Sequence, residues 1–196
     1  MKIVRLLTLA LSAAFLMTSC AKTDIRNQEA AADAPQSRAI FDQTSGTWQN
    51  VSAYAVALES KVDNGNGTWT WTWSIRNTNP GNGNNGTIQN LSHWNMTLGS
   101  CVNFADIVSA STSYNGISYN SFQPTLAVDP SQNCVVTPVL KFNVSTSGST
   151  KTYCRLVVKA DYGVDNGAVG FYKSGARTGC GPLWFQGMGC LGGFDN

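Results

Sequence analysis

The sequence predicts an all-β protein, a β-sandwich of the immunoglobulin-like or jelly-roll kind. Three observations lead there. Only 12% of the 196 residues are charged, about half the roughly 25% of an ordinary globular chain. That excludes the Glu/Lys/Arg-rich heptads of a coiled coil and a charge-driven disordered chain. Polarity comes instead from Gly, Ser, Thr and Asn, and strong helix formers are too sparse for a helical bundle. Finally, short runs of alternating apolar and polar residues recur between Asn- and Gly-rich turns, the pattern of half-buried strands.

The N-terminus is of a different kind. Met1-Lys-Ile-Val-Arg5 is basic, the stretch from Leu6 to Met17 is apolar, and Thr18-Ser19 precede Cys20. These are the parts of an export signal, and the apolar stretch is too short to span a bilayer comfortably as a helix. Leu16-Met17-Thr18-Ser19-Cys20 resembles the lipobox of bacterial lipoproteins, with Met17 where Leu is commoner. The resemblance covers residues 1–20. It implies that residues 1–19 are removed as a signal peptide, that the Cys20 thiol receives diacylglycerol, and that the new amino group is acylated. Two or three acyl chains hold a protein stably on membrane lipid. Ala21, not Asp, follows the cysteine, so the inner-membrane retention signal of that family is missing and the resemblance implies the outer membrane of a bacterial envelope.

Residues 20–39 contain one large aliphatic residue, Ile25, with mixed charge and Pro35, and read as a flexible tether. From Ile40 the composition turns to aromatics, β-branched residues and glycine turns, so residues 40–196 read as a single domain large enough for its own core. Loss of Lys2 and Arg5 reduces the 13 basic residues to 11, equal to the acidic ones. A neutral mature chain has no basic footprint for nucleic acid.

The strands are legible in order. Val51–Lys61 and Thr68–Asn77 flank Asp63-Asn64-Gly65-Asn66-Gly67, a hairpin signal. The turn has the look of the start of a calcium loop, but lacks the acidic residue that would close one. Residues 77–86 form an Asn/Gly loop. Thr87–Leu98 alternates again, with Trp94, Met96 and Leu98 on one face and His93, Asn95 and Thr97 on the other. Ile107–Ser113 and Ile117–Phe122 flank Tyr114-Asn115-Gly116, a second hairpin signal, and Val139–Val144 and Tyr153–Ala160 flank a Ser/Thr/Gly turn. Ala168–Tyr172 and Leu183–Phe185 are weaker strand signals.

Five cysteines follow Cys20, and an exported domain can oxidise them. Cys154 alternates in phase with Leu156 and Val158 and is expected to be a buried free thiol. Cys101, Cys134, Cys180 and Cys190 stand beside turns and are expected in disulfides, which would staple the sandwich; proximity in sequence suggests Cys101–Cys134 and Cys180–Cys190. With one histidine and no CxxC pair, a zinc site is not supported, and no cofactor signature is present.

Candidate functional residues are few. Trp69, Trp71, Trp73 and Ile75 fall on one face of the second strand, and Thr68, Thr70, Thr72 and Ser74 on the other. The tryptophans are a sugar-stacking platform or the inner face of the sandwich. The hydroxyl-only opposite face favours the core, because burying it would strand polar groups. Trp48, Trp94, Trp184 and His93 are the remaining candidates for ligand contact. His93 is expected at the surface. It follows Ser92, and alternation sends adjacent residues to opposite faces, so the two are not expected to form a catalytic pair. No G-x-S-x-G elbow is present, and Glu29 and Glu59, the only glutamates, give no glycosidase pair. Asn90-Leu91-Ser92-His93-Trp94 resembles a segment of uncharacterised secreted bacterial β-domains, over those five residues alone. The expectation is a non-enzymatic, lipid-anchored binding or adhesion module, with a glycan or an envelope protein as partner. The rivals are a surface hydrolase using His93 with an aspartate from a distant strand, and a purely structural envelope component.

Overall fold

The computed structural model describes residues 38–42, 47–51 and 53–191, with side chains from residue 53 onward. The signal segment, Cys20 and most of the tether lie outside the described residues.

Strands β1 (Arg38–Asp42) and β2 (Thr47–Val51) form a two-stranded antiparallel ladder. The domain proper is two antiparallel five-stranded sheets packed face to face. Sheet 1 contains β3 (Tyr54–Asp63), β4 (Trp69–Asn77), β6 (Ile107–Ser113), β7 (Asn120–Phe122) and β10 (Thr152–Val158). Sheet 2 contains β5 (Leu91–Met96), β8 (Leu126–Ala127), β9 (Val139–Phe142), β11 (Gly163–Ser174) and β12 (Cys180–Gly189). Each sheet is built alike. In sheet 1 the order β3-β4-β10-β6-β7 places β10 between two hairpins; in sheet 2 the order β12-β11-β5-β9-β8 does the same for β5. The two segments flanking the Ser/Thr/Gly turn at residues 145–150 therefore do not pair with each other: β9 and β10 lie in opposite sheets. No α-helix occurs among the described residues, only a 3-10 turn at Phe104–Asp106.

The alternation of β4 decides which way sheet 1 faces. Trp71, Trp73 and Ile75 are completely buried between the sheets, and the Trp71 and Trp73 rings lie 5.7 Å apart, nearly parallel. The core reading of the tryptophan strand is correct. Opposite them β10 contributes Cys154, Leu156 and Val158, also fully buried. Sheet 2 answers with Trp94, Met96, Leu140, Phe142, Leu183 and Phe185. Some polar atoms of this core find partners across it: Trp73 Nε1 donates to the Gln186 carbonyl at 2.7 Å, and the Tyr54 hydroxyl donates to Ser174 Oγ at 2.8 Å, whereas the buried Trp71 Nε1 has no hydrogen-bond partner among the described residues.

Four cysteines form two disulfides and Cys154 is a buried free thiol, as expected. The pairing is not the expected one. Cys101 joins Cys190 and Cys134 joins Cys180, with Cα separations of 5.3 and 6.2 Å, within the usual bridging range. Each links residues remote in sequence, because turns at the ends of different strands meet at the sandwich rims. Proximity along the chain does not measure that.

Candidate functional site

The outer face of sheet 2 carries His93 and Asn95 from β5, Lys141 from β9, and Lys173 and Phe171 from β11, which stand beside one another in register. Its middle is covered: His93 and Asn95 are buried, and Lys141, Phe171 and Lys173 are half-buried. After β8, at one edge of the sheet, the chain reaches Cys134, which is bonded to Cys180 of β12 at the opposite edge. Four inter-strand spacings of about 4.8 Å make a crossing of about 19 Å, and the extended chain from Ala127 to Cys134 spans about 23 Å. Residues 128–138 are thus a strap laid over the sheet and pinned at its far side.

The strap brings Asp129 down onto β5. Asp129-Pro130-Ser131-Gln132 is a turn: the Gln132 amide donates to the Asp129 carbonyl at 3.1 Å, and the Asp129 carboxylate accepts from the Ser131 amide at 3.0 Å, which is what Asp-Pro at the start of a turn favours. The same carboxylate accepts from Ser131 Oγ (2.6 Å), Asn95 Nδ2 (3.1 Å), His93 Nε2 (2.8 Å) and Lys141 Nζ (3.1 Å). Burial alone would push its pKa up. The donors from Ser131, Asn95 and Lys141 outweigh burial and hold the carboxyl well below the ordinary carboxylate range.

His93 is the correction that matters most. It lies on the polar face of β5 as alternation requires, yet it is only 6% exposed, because the strap lies on that face. Burial, with the positive charge of Lys141, pushes its pKa below the ordinary value in spite of the pull of Asp129. At neutral pH the ring is therefore uncharged, and the hydrogen bond to Asp129 assigns its proton to Nε2. Nδ1 is then the acceptor, and the Ser92 hydroxyl stands 3.4 Å from it. This adjacency contradicts the expectation that Ser92 and His93 face apart. The cause is a β-bulge: Lys173 pairs with His93 and Ser174 with Leu91, leaving Ser92 as the extra residue. A bulge breaks the alternation and re-aims a side chain. Ser131 Oγ also approaches Nε2, at 3.5 Å, but its proton is directed to Asp129.

The other candidates disperse. Trp94 is not at a surface. It is completely buried, stacked on Phe142 at 5.0 Å and edge-on to Phe185 at 5.4 Å. Its Nε1 donates to Cys154 Sγ at 3.1 Å. Trp184 is half-buried on the outer face of β12, opposite Val169. Trp48 stands opposite Phe41 in the β1–β2 ladder, and its side chain lies outside the described residues, as does Cys20. The Asp63–Gly67 segment is a plain hairpin turn, with Asp63 Oδ1 accepting from the Gly65 amide at 2.8 Å.

Sheet 1 presents a different outer face. Cross-strand neighbours place Thr72, Arg155, Ser111 and Ser121 in one row, with Thr70, Val157 and Ser109 on one side and Ser74 and Tyr153 on the other. Glu59, the extra residue of a bulge in β3, accepts from Lys151 Nζ at 2.6 Å and from Ser74 Oγ at 2.5 Å on this side. Sequence reasoning passed over this face because its residues are ordinary singly; the signal was the hydroxyl phase of β4, read only as evidence about the tryptophans.

No protein-family model matches this chain, and no curated protein matches it.

Proposed function

We propose that the protein is a non-enzymatic lipoprotein, anchored by acylated Cys20 on the outer membrane of a bacterial envelope, that binds glycan through the outer face of sheet 1. One observation carries the binding part: the outer face of sheet 1 carries a registered array of serine and threonine hydroxyls with tyrosine and arginine among them, with Thr70, Ser111, Tyr153 and Arg155 half-buried and Ser121 exposed, whereas on sheet 2 the strap lies over His93 and Asn95. Hydroxyls match the donor–acceptor pattern of sugars, and aromatic rings match their apolar faces. The lipobox resemblance supports the anchor, and the tether read from the sequence supplies the reach.

A second reading has its own support. Asp129, His93 and Ser92 stand in the order of an acid, a neutral imidazole and an exposed hydroxyl, the arrangement that activates a serine for acyl transfer. The full chain carrying Cys20→Ser, applied to a glycan array and separately treated with a fluorophosphonate, separates the readings. Glycan capture without labelling supports the binding module. Labelling at Ser92 that His93→Ala abolishes supports a hydrolase. Neither outcome leaves a structural envelope role.

A further inference from the structure

Resting on the glycan-binding reading, the geometry points to a more specific ligand: a carboxylate-bearing sugar, recognised by Arg155 at the centre of the sheet 1 face. Arg155 lies on β10, between Thr72 of β4 and Ser111 of β6. Its guanidinium lies 3.6 Å from the Tyr119 ring centroid, and its Nε donates to Thr72 Oγ1 at 3.4 Å. These contacts fix the plane of the fork. Among the described residues Arg155 makes no ion pair. Glu59, on this side of the sheet, is paired with Lys151. A planar, oriented guanidinium without a carboxylate partner is the usual receptor for one, because two parallel N–H donors match its two oxygens.

The platform under this arginine is preorganised. Tyr119 ends the β6–β7 turn, whose backbone is held by side chains. Ser113 Oγ accepts from the Gly116 amide at 2.9 Å, and Asn115 Oδ1 accepts from the amides of Ile117 and Ser118 at 2.9 and 3.0 Å. Gly116 has φ of 74°, and a Cβ there would come within 3.1 Å of the Tyr153 ring. The turn therefore lies flat against Tyr153, and only glycine permits it. Side chains ordered before binding cost less to order on binding. In the same row Thr72, which is buried, holds the guanidinium from one side, and the hydroxyls of half-buried Ser111 and exposed Ser121 lie on the other, positioned for the ring hydroxyls of the same sugar. Arg76, further along β4 on the same exposed face, adds a second positive charge.

The test uses the full chain carrying Cys20→Ser and an array of oligosaccharides ending in uronic acids, in sialic acid or in neutral hexoses. The expected result is capture of acidic chains, loss of capture when their carboxylates are methyl-esterified, and a shift of the Arg155 Nε–H resonance on saturation. Arg155→Gln should weaken binding by about tenfold or more, with an unchanged unfolding midpoint, and Arg155→Lys should fall between, keeping the charge but losing the fork. Equal capture of acidic and neutral chains, unaffected by Arg155→Gln, would overturn this inference and leave the glycan-binding reading standing. Capture of no oligosaccharide would overturn both.

Discussion

Removing the Asp129 carboxylate should unlatch the strap. Asp129→Ala leaves His93 Nε2–H and Asn95 Nδ2 buried beneath residues 128–138 without the acceptor they share. Ser131 is exposed and Lys141 is half-buried, so their donors can turn to water. Each buried donor left unpaired costs about 1–3 kcal/mol, and His93 and Asn95 supply two of them. Taken together, a loss of about 3–5 kcal/mol is expected, a large part of the 5–15 kcal/mol typical of a domain. Urea unfolding followed by tryptophan fluorescence reads this, because Trp71, Trp73 and Trp94 are all in the core. With a slope of about 2 kcal/mol per molar, the midpoint should fall by about 1.5–2.5 M. Asp129→Asn keeps an acceptor for one donor and should lose less, and Ser131→Ala less again. A midpoint for Asp129→Ala within about 0.5 kcal/mol of wild type would refute the latch.

Further outcomes follow from the same structure. His93 has a pKa below its ordinary value in the folded protein, so the unfolded chain takes up a proton that the native one refuses. The stability this secures is complete above about pH 6.5 and is lost as pH falls below it, at up to about 1.4 kcal/mol per pH unit; His93→Gln should flatten that part of the stability–pH curve. Trp71→Ala removes a completely buried ring and should cost about 3–5 kcal/mol, against no more than about 0.5 kcal/mol for Thr70→Ala on the outer face, both read from unfolding midpoints. Non-reducing peptide mapping should find Cys101 with Cys190 and Cys134 with Cys180, and Cys154 should react with a thiol reagent only after denaturation, since burial pushes its thiol far up. Metabolic labelling with a fatty acid should tag the wild type and not Cys20→Ser; a label surviving the change would contradict the anchor.

What the sequence disclosed and what it withheld divide along one line. The phase of TWTWTWSI was enough to orient sheet 1, because period two is a local property and it turns Trp71, Trp73 and Ile75 together into the core. The same rule put His93 on the outer face of β5 correctly and its exposure wrongly, because exposure depends on whether something distant lies on that face. The strap that covers it comes from residues 128–138 and is held there by a disulfide to β12. The Ser92 bulge was likewise hidden, since the extra residue exists only relative to the register of β11. Asp129-Pro130 could have been read as a turn from its dipeptide, though not its destination. Arg155 over Tyr119 joins residues 36 positions apart, and no periodicity connects them.

A contact map of a bound glycan decides whether sheet 1 presents the binding face. Backbone and side-chain resonances of the full chain carrying Cys20→Ser, followed as a captured oligosaccharide is added, should shift at Thr72, Ser111, Tyr119, Ser121 and Arg155 and stay still at Ser92, His93 and Asp129. Shifts gathered around Ser92 and His93, with the sheet 1 face unchanged, would place the binding face on sheet 2 instead.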